Sequence, residues 1–224
     1  MSELENGMEI DGWEEIEVEN TAVDELESES INLIFIGIDE SYSMNPYSGE
    51  MKKCLNEFKT ALIDSKEADE ILIARADFSD DVKIGGYKKI TEFDTGYSVD
   101  NMTALLETII LGKEKLMEYR KFLKEQGVRV KAVFAIFSDG EDTMNGDFSK
   151  AKKSIETLNG EEITTAFISF GGQATQTAKD LGFRNILDVA SSASELRKAF
   201  NCLSKSVIES SKSVLADEDD FFQV

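Results

Sequence analysis

The sequence predicts an α/β fold: a doubly wound, mostly parallel six-stranded sheet with one antiparallel edge strand and helices on both faces. Three observations predict it. Short apolar runs alternate along the chain with segments whose apolar residues recur at helical spacing. The first run, Ile31-Asn32-Leu33-Ile34-Phe35-Ile36-Gly37-Ile38, is apolar almost throughout, as suits a strand covered on both faces. The runs at 71–76 and 82–90 are joined too closely for a crossover, so they pair antiparallel, the second at an edge.

The elements follow in order. After the first strand, Met51, Cys54, Leu55, Phe58, Ala61 and Leu62 fall on one helical face, with lysines and acids between them. Ile71–Ala76 reads as the second strand and Val82–Ile90 as the third. Leu105, Ile109, Leu116, Tyr119 and Leu123 mark a long helix over roughly 103–126, for which Gly127 is a natural stop. Val128–Phe137 is the fourth strand. Phe148, Ala151, Ile155 and Leu158 form a short helix, and Ile163–Phe170 a strand closed by Gly171-Gly172. A short helix near 174–181, a brief strand at Asn185–Val189 and a last helix through Leu196, Phe200, Leu203 and Val207 complete the chain.

The chain has 224 residues and a formal net charge of -21, very unevenly spread. Residues 1–30 hold twelve acids and no base, and residues 211–224 hold four acids and one base. The stretch between carries 29 acids against 23 bases. This divides the chain into an acidic N-terminal tail (1–30), one domain (31–210) and an acidic C-terminal tail (211–224). No basic excess exists to neutralise nucleic-acid phosphates or to seek an anionic membrane. The absence of histidine excludes Ser-His-Asp triads, Cys-His dyads and mixed Cys/His zinc sites. Two cysteines, Cys54 and Cys202, are too few for a four-cysteine zinc site, and buried, reduced thiols are expected. The N-terminus lacks the basic start and apolar stretch of a signal peptide, so a cytoplasmic protein is expected.

In doubly wound sheets, binding chemistry gathers in loops at the carboxyl ends of strands, where strand order reverses. The first strand exits into Asp39-Glu40-Ser41-Tyr42-Ser43-Met44. An acid and two hydroxyls at alternating positions offer hard oxygens, which suit Mg²⁺ or Mn²⁺ better than zinc. The same residues also make an ordinary Asp/Ser turn opening a helix. Thr103 stands where the long helix opens, and Asp139 where the fourth strand exits in Ser138-Asp139-Gly140.

Taken together, Asp39-x-Ser41-x-Ser43, the distant Thr103 and Asp139-Gly140 resemble the von Willebrand factor A domain with its metal-ion-dependent adhesion site. The resemblance covers about residues 31–209. It implies a Mg²⁺ held by Ser41 and Ser43, with Asp39 and Asp139 acting mostly through water and Thr103 directly or through water. It also implies an open coordination position filled by an Asp or Glu carboxylate of a partner protein. Tyr42 replaces the glycine common in the family, and Asn101-Met102 replace small residues. With Glu141, Tyr42 and Met102 are the candidate partner contacts. The resulting expectation is a Mg²⁺-dependent protein-binding adaptor and not an enzyme, with no nucleic-acid or membrane partner. Weak head-to-tail self-association through a tail acid is a further expectation.

An alternative is a Mg²⁺-dependent phosphatase of the haloacid dehalogenase type, with Asp39 as nucleophile. That chemistry needs a second carboxylate two residues on as general acid/base, and Ser41 occupies the place. Neither a GxxxxGK[ST] nor a GxGxxG pattern follows any strand, which excludes the common nucleotide cradles. Trp13 in the N-terminal tail and Phe221-Phe222 near the C-terminus each read either as a docking peptide for a basic partner or as part of a solvated tail or a local clasp on the domain.

Overall fold

A computed structural model describes residues 20, 30–65, 71–212 and 221–222, the side chains of 211 and 212 excepted. Trp13 lies outside the described residues. Strand β1 (Ser30–Asp39) is followed by a 3-10 turn (Tyr42–Tyr47) and helix α1 (Ser48–Asp64). Then come β2 (Ile71–Phe78), the short β3 (Val82–Ile84) and β4 (Lys88–Lys89), and α2 (Leu105–Glu125). The chain continues through β5 (Arg129–Ser138), α3 (Phe148–Gly160), β6 (Thr164–Phe170), α4 (Thr175–Leu181), β7 (Asn185–Val189) and α5 (Ala193–Lys212).

The strand order is β3-β2-β1-β5-β6-β7, with β4 also pairing β2. The sheet is doubly wound and mostly parallel, as expected, but it has seven strands. The segment 82–90 is two short pieces, each antiparallel to β2. A half-exposed Gly85-Gly86 corner lies between them, and Gly85 N–H bonds back to the Arg75 carbonyl at 2.8 Å. That bond is the last of the β3 register; β4 pairs with β2 one residue out of that register, so the corner carries an extra residue and bulges.

Alternation along β1 builds both halves of the core. Ile31, Leu33 and Phe35 face one side, joining Leu105, Ile109 and Leu116 of α2 and Ile155 of α3. Ile34, Ile36 and Ile38 face the other, joining Leu55 and Phe58 of α1 and Phe200 and Leu203 of α5. Every residue of β1 beyond Ser30 is buried. The strand is thus paired on both edges and covered on both faces, which is why its sequence reads as one apolar run.

One close approach sets the position of α2. At Gly112 a Cβ would stand 2.4 Å from Phe35 Cζ and 3.1 Å from Phe134 Cε2, and those two rings stack at 5.0 Å. The helix lies this near the sheet because position 112 carries no side chain. Alanine at position 112 gains about 1 kcal/mol of helix propensity, but forcing apart a stacked aromatic pair costs about 1–3 kcal/mol. Gly112→Ala is therefore expected to lower unfolding free energy by up to about 2 kcal/mol in urea denaturation. A variant as stable as the parent would show that the rings yield freely.

Candidate loop-end site

The carboxyl ends of β1 and β5 lie side by side, with Ile38 registered on Phe137. This is the point where strand order reverses. Asp39 ends β1 with no exposed surface. Its Oδ1 accepts the Ser41 N–H at 2.8 Å, closing an Asx turn that swings the chain out of the sheet. Its Oδ2 accepts the Ser138 hydroxyl at 2.6 Å. The Ser41 and Ser43 hydroxyls lie 3.0 Å apart, and Ser43 donates to Asp139 Oδ1 at 2.8 Å. Asp39, Ser41, Ser43 and Asp139 thus form one connected hydrogen-bonded cluster across two strand exits.

Thr103 is buried beside this layer, and its bonds run through its backbone. Its N–H donates to Thr143 Oγ1 at 2.8 Å, and its carbonyl accepts the Thr143 N–H at 3.0 Å. Asp142 reinforces the same clasp. Its Oδ1 accepts the Leu106 N–H at 3.0 Å and its Oδ2 the Gly146 N–H at 3.0 Å. The first of these satisfies an open N–H at the start of α2, where a negative charge also complements the helix dipole.

A third loop is strapped on by a charged network. Arg75, nearly buried on β2, donates from Nε to Asp77 Oδ1 at 2.7 Å and from Nη1 to the Asp94 carbonyl at 2.9 Å, and reaches Glu40 at 3.4 Å. Glu40 in turn accepts the N–H and hydroxyl of Ser98 at 3.0 and 2.8 Å. Tyr97 donates its hydroxyl to the Asp39 carbonyl at 2.6 Å, and burial holds that phenol neutral by pushing its pKa far up. Glu40 N–H bonds to the Phe78 carbonyl, and Asp100 N–H to the Glu40 carbonyl. Four chain segments are therefore fixed around Asp39 before any partner arrives.

The electrostatics follow from burial. Desolvation pushes the Asp39 carboxyl up to about 6, against the pull of the Ser138 and Ser41 hydrogen bonds. Desolvation also raises Asp139, which its bond from Ser43 opposes. Asp77 is pushed up to about 6 by burial although Arg75 lies beside it.

This geometry corrects the expectation of Mg²⁺ or Mn²⁺ at a metal-ion-dependent adhesion site. Among the described residues, no group of three or more His, Cys, Asp or Glu could hold a metal ion. The oxygens expected to face a cation face one another instead. Both carboxylate oxygens of Asp39 and the hydroxyls of Ser41 and Ser43 are engaged within the cluster, and the Thr103 backbone is tied to Thr143.

The three candidate partner contacts lie on the outside of this layer. Tyr42 is 66% exposed, Met102 40%, and Glu141 is exposed. Met144, 39% exposed, adds a third large apolar side chain to the same set of loops. Sequence reasoning did not single out Tyr97, Arg75 or Thr143. Ser138 carried a usable signal, as the one hydroxyl ending an apolar strand. Tyr97 sits in a stretch without periodicity and carried none.

No family model and no curated protein matches the sequence. Solved structures do match in shape. The pilus adhesin SpaC from Lactobacillus rhamnosus GG superposes with a TM-score of 0.64 at 10% identity, covering 81% of this chain and 31% of that one. Proximal thread matrix protein 1 from the mussel byssus gives 0.58 at 14%, covering 80% and 46%. A von Willebrand factor type A protein from Catenulispora acidiphila gives 0.56 at 14%, covering 80% and 43%. This chain therefore spans less than half the length of each. At such identities the likeness establishes the fold, which is of the von Willebrand factor A type. The comparison also overturns the cytoplasmic expectation, since the adhesin and the matrix protein are named for pili and for a byssal thread. No helix among the described residues is long and apolar enough to cross a membrane.

Because burial raises the folded pKa of Asp39 above the ordinary value of about 3.9, its linkage runs against stability at neutral pH. The folded state is favoured while the group is protonated, below about pH 4, and loses that advantage as pH climbs through about 6. Asp39→Asn removes the charge and can keep the Ser41 N–H bond through its one oxygen, while its NH2 donates to Ser138 Oγ, whose own hydrogen turns to the Gly140 carbonyl. It is expected to unfold about 1–3 kcal/mol later than the parent at pH 7, with the difference closing near pH 4. Urea titrations at the two pH values check this; an equal or less stable variant at pH 7 would contradict it.

Proposed function

We propose that this domain is a protein-binding module, without catalytic activity, whose docking face is the loop layer over the ends of β1 and β5. The observation that carries the reading is a solvent-facing set of large apolar side chains, Tyr42, Met102 and Met144, carried on loops that are internally bonded. Exposed aromatic and Met side chains on a fixed support are what interface anchors require. A pre-set backbone also lowers the ordering cost of association.

The charge of the face selects among partners. Asp100 and Glu141 are exposed in the same loops, and Asp80 and Asp81 in the β2–β3 turn, where Asp80 accepts the Met102 N–H. Such a surface repels an acidic group, so the partner carboxylate expected by family resemblance loses its rationale together with the cation. A segment bearing Lys or Arg beside an apolar anchor suits the face better. The phosphatase alternative is not favoured: Ser41 stands where a second carboxylate is needed, and its hydroxyl is bonded to Ser43. The division into residues 31–210 as the binding domain and two acidic flanks remains part of this proposal.

A photo-crosslinking amino acid at position 42 should capture a partner from native extract that the same probe at Phe122, exposed on α2, does not. Tyr42→Ala and Met102→Ala should each weaken the captured complex by about tenfold or more, as anchor residues do. Raising salt from about 50 to 500 mM should slow association if Lys or Arg meets the acidic rim. Equal capture from positions 42 and 122, with both alanine variants binding as the parent does, would overturn the assignment.

A further inference from the structure

The aromatic pair Phe221-Phe222 is seated on the domain, at the other end from the loop face. Phe221 is buried to 6% exposure and belongs to the core cluster of β1, α1 and α5, and Phe222 packs partly buried beside it. The two rings meet edge to face at 5.1 Å. The Phe221 N–H donates to Asn185 Oδ1 at 3.0 Å, and the Cys202 thiol donates to the Phe222 carbonyl at 3.6 Å. Asn185 opens β7, the last strand of the sheet, and Cys202 lies midway along α5.

This arrangement has the parts of a peptide site. Asn185 is itself 5% exposed, and its Nδ2 donates to the Thr165 carbonyl at 3.1 Å. That bond orients the amide so that Oδ1 faces the incoming backbone. The acceptor reads a main-chain N–H and the apolar cleft reads the ring, which together specify an aromatic residue at one position of a peptide. Withdrawing the segment would uncover a large apolar area and break the Phe221 N–H bond to Asn185 Oδ1. The residues just before the pair are Asp217-Glu218-Asp219-Asp220, so the natural occupant is an acidic segment ending in two phenylalanines.

We propose that the cleft between β7 and α5 is a binding site for an acidic peptide with a Phe-Phe pair, filled in cis by the chain's own residues 221–222 as a releasable latch. The latch covers Cys202, which is half-buried, while Cys54 has no exposed surface and burial pushes its thiol up to about 12. Cys202 therefore reports latch occupancy, and Cys54 reports unfolding. In the full-length Phe221→Ala/Phe222→Ala chain, iodoacetamide should alkylate Cys202 about tenfold faster than in the parent, with Cys54 silent in both. A synthetic peptide of residues 213–224 should bind that variant and restore slow alkylation. The same peptide with both phenylalanines changed to alanine should do neither, and the parent chain should not bind the intact peptide. Equal Cys202 rates in parent and variant with Cys54 silent would overturn the latch. A variant that does not bind the peptide while Cys54 stays silent would overturn the site. Cys54 reacting alongside Cys202 would show that the pair is needed for the fold and is not releasable, which also overturns it. Full-length chain eluting as a dimer that the peptide dissociates would place the segment in a second copy and contradict filling in cis.

Discussion

The pairing of β1 with β5 is the constraint on which the rest of the structure depends. It places the reversal of strand order beside Asp39 and lets the two chain exits diverge, which opens space for loops. It also buries a carboxylate. A fully buried Asp is costly unless its oxygens are bonded, and here they are bonded by Ser41 N–H and the Ser138 hydroxyl. Those bonds in turn dictate the path of the next residues. Ser41 and Ser43 reach Asp139, Tyr97 reaches the Asp39 carbonyl, and Glu40 collects Arg75 and Ser98. The loop layer is thus built outward from one strand end.

On the proposed reading, the same strand end sets stability against binding. A carboxylate kept partly protonated by burial is a poor choice for the fold alone, although both its oxygens accept bonds that an amide, with one acceptor, could not both receive. Sites that bind often keep such locally unfavourable groups. The Arg75–Asp77–Glu40 network is the counterpart: it fixes the neighbouring loop while its own desolvation leaves Asp77 raised.

The fold was legible because its main signal is periodicity. β1 is covered on all sides, so its sequence is continuously apolar, while α1, α2, α3 and α5 each bury one stripe and declare it. The 82–90 segment reads as one strand because apolar residues recur through it, at Val82, Ile84, Tyr87 and Ile90, while its break is a one-residue shift of register against β2. At the site, spacing could mark where oxygen-bearing residues leave the sheet. It could not show that their oxygens turn inward on one another, because that depends on partners such as Ser138 and Thr143 from other loops. The cytoplasmic inference rested on the first residues alone, which lie outside the described residues and carry no information on the fold that the adhesin and byssal structures share. Asn185, an unremarkable residue opening an edge strand, acquires its meaning from a segment more than thirty residues later.

The central claim is that the loop layer over β1 and β5 is the docking face and is set before binding. Backbone amide shifts of the free and partner-bound protein test it most directly. Changes are expected to concentrate at Tyr42, Ser43, Met102, Thr103 and residues 139–144, while amides of β7 and the far end of α2 stay in place. Changes centred on α2, or spread evenly over the sheet, would contradict it.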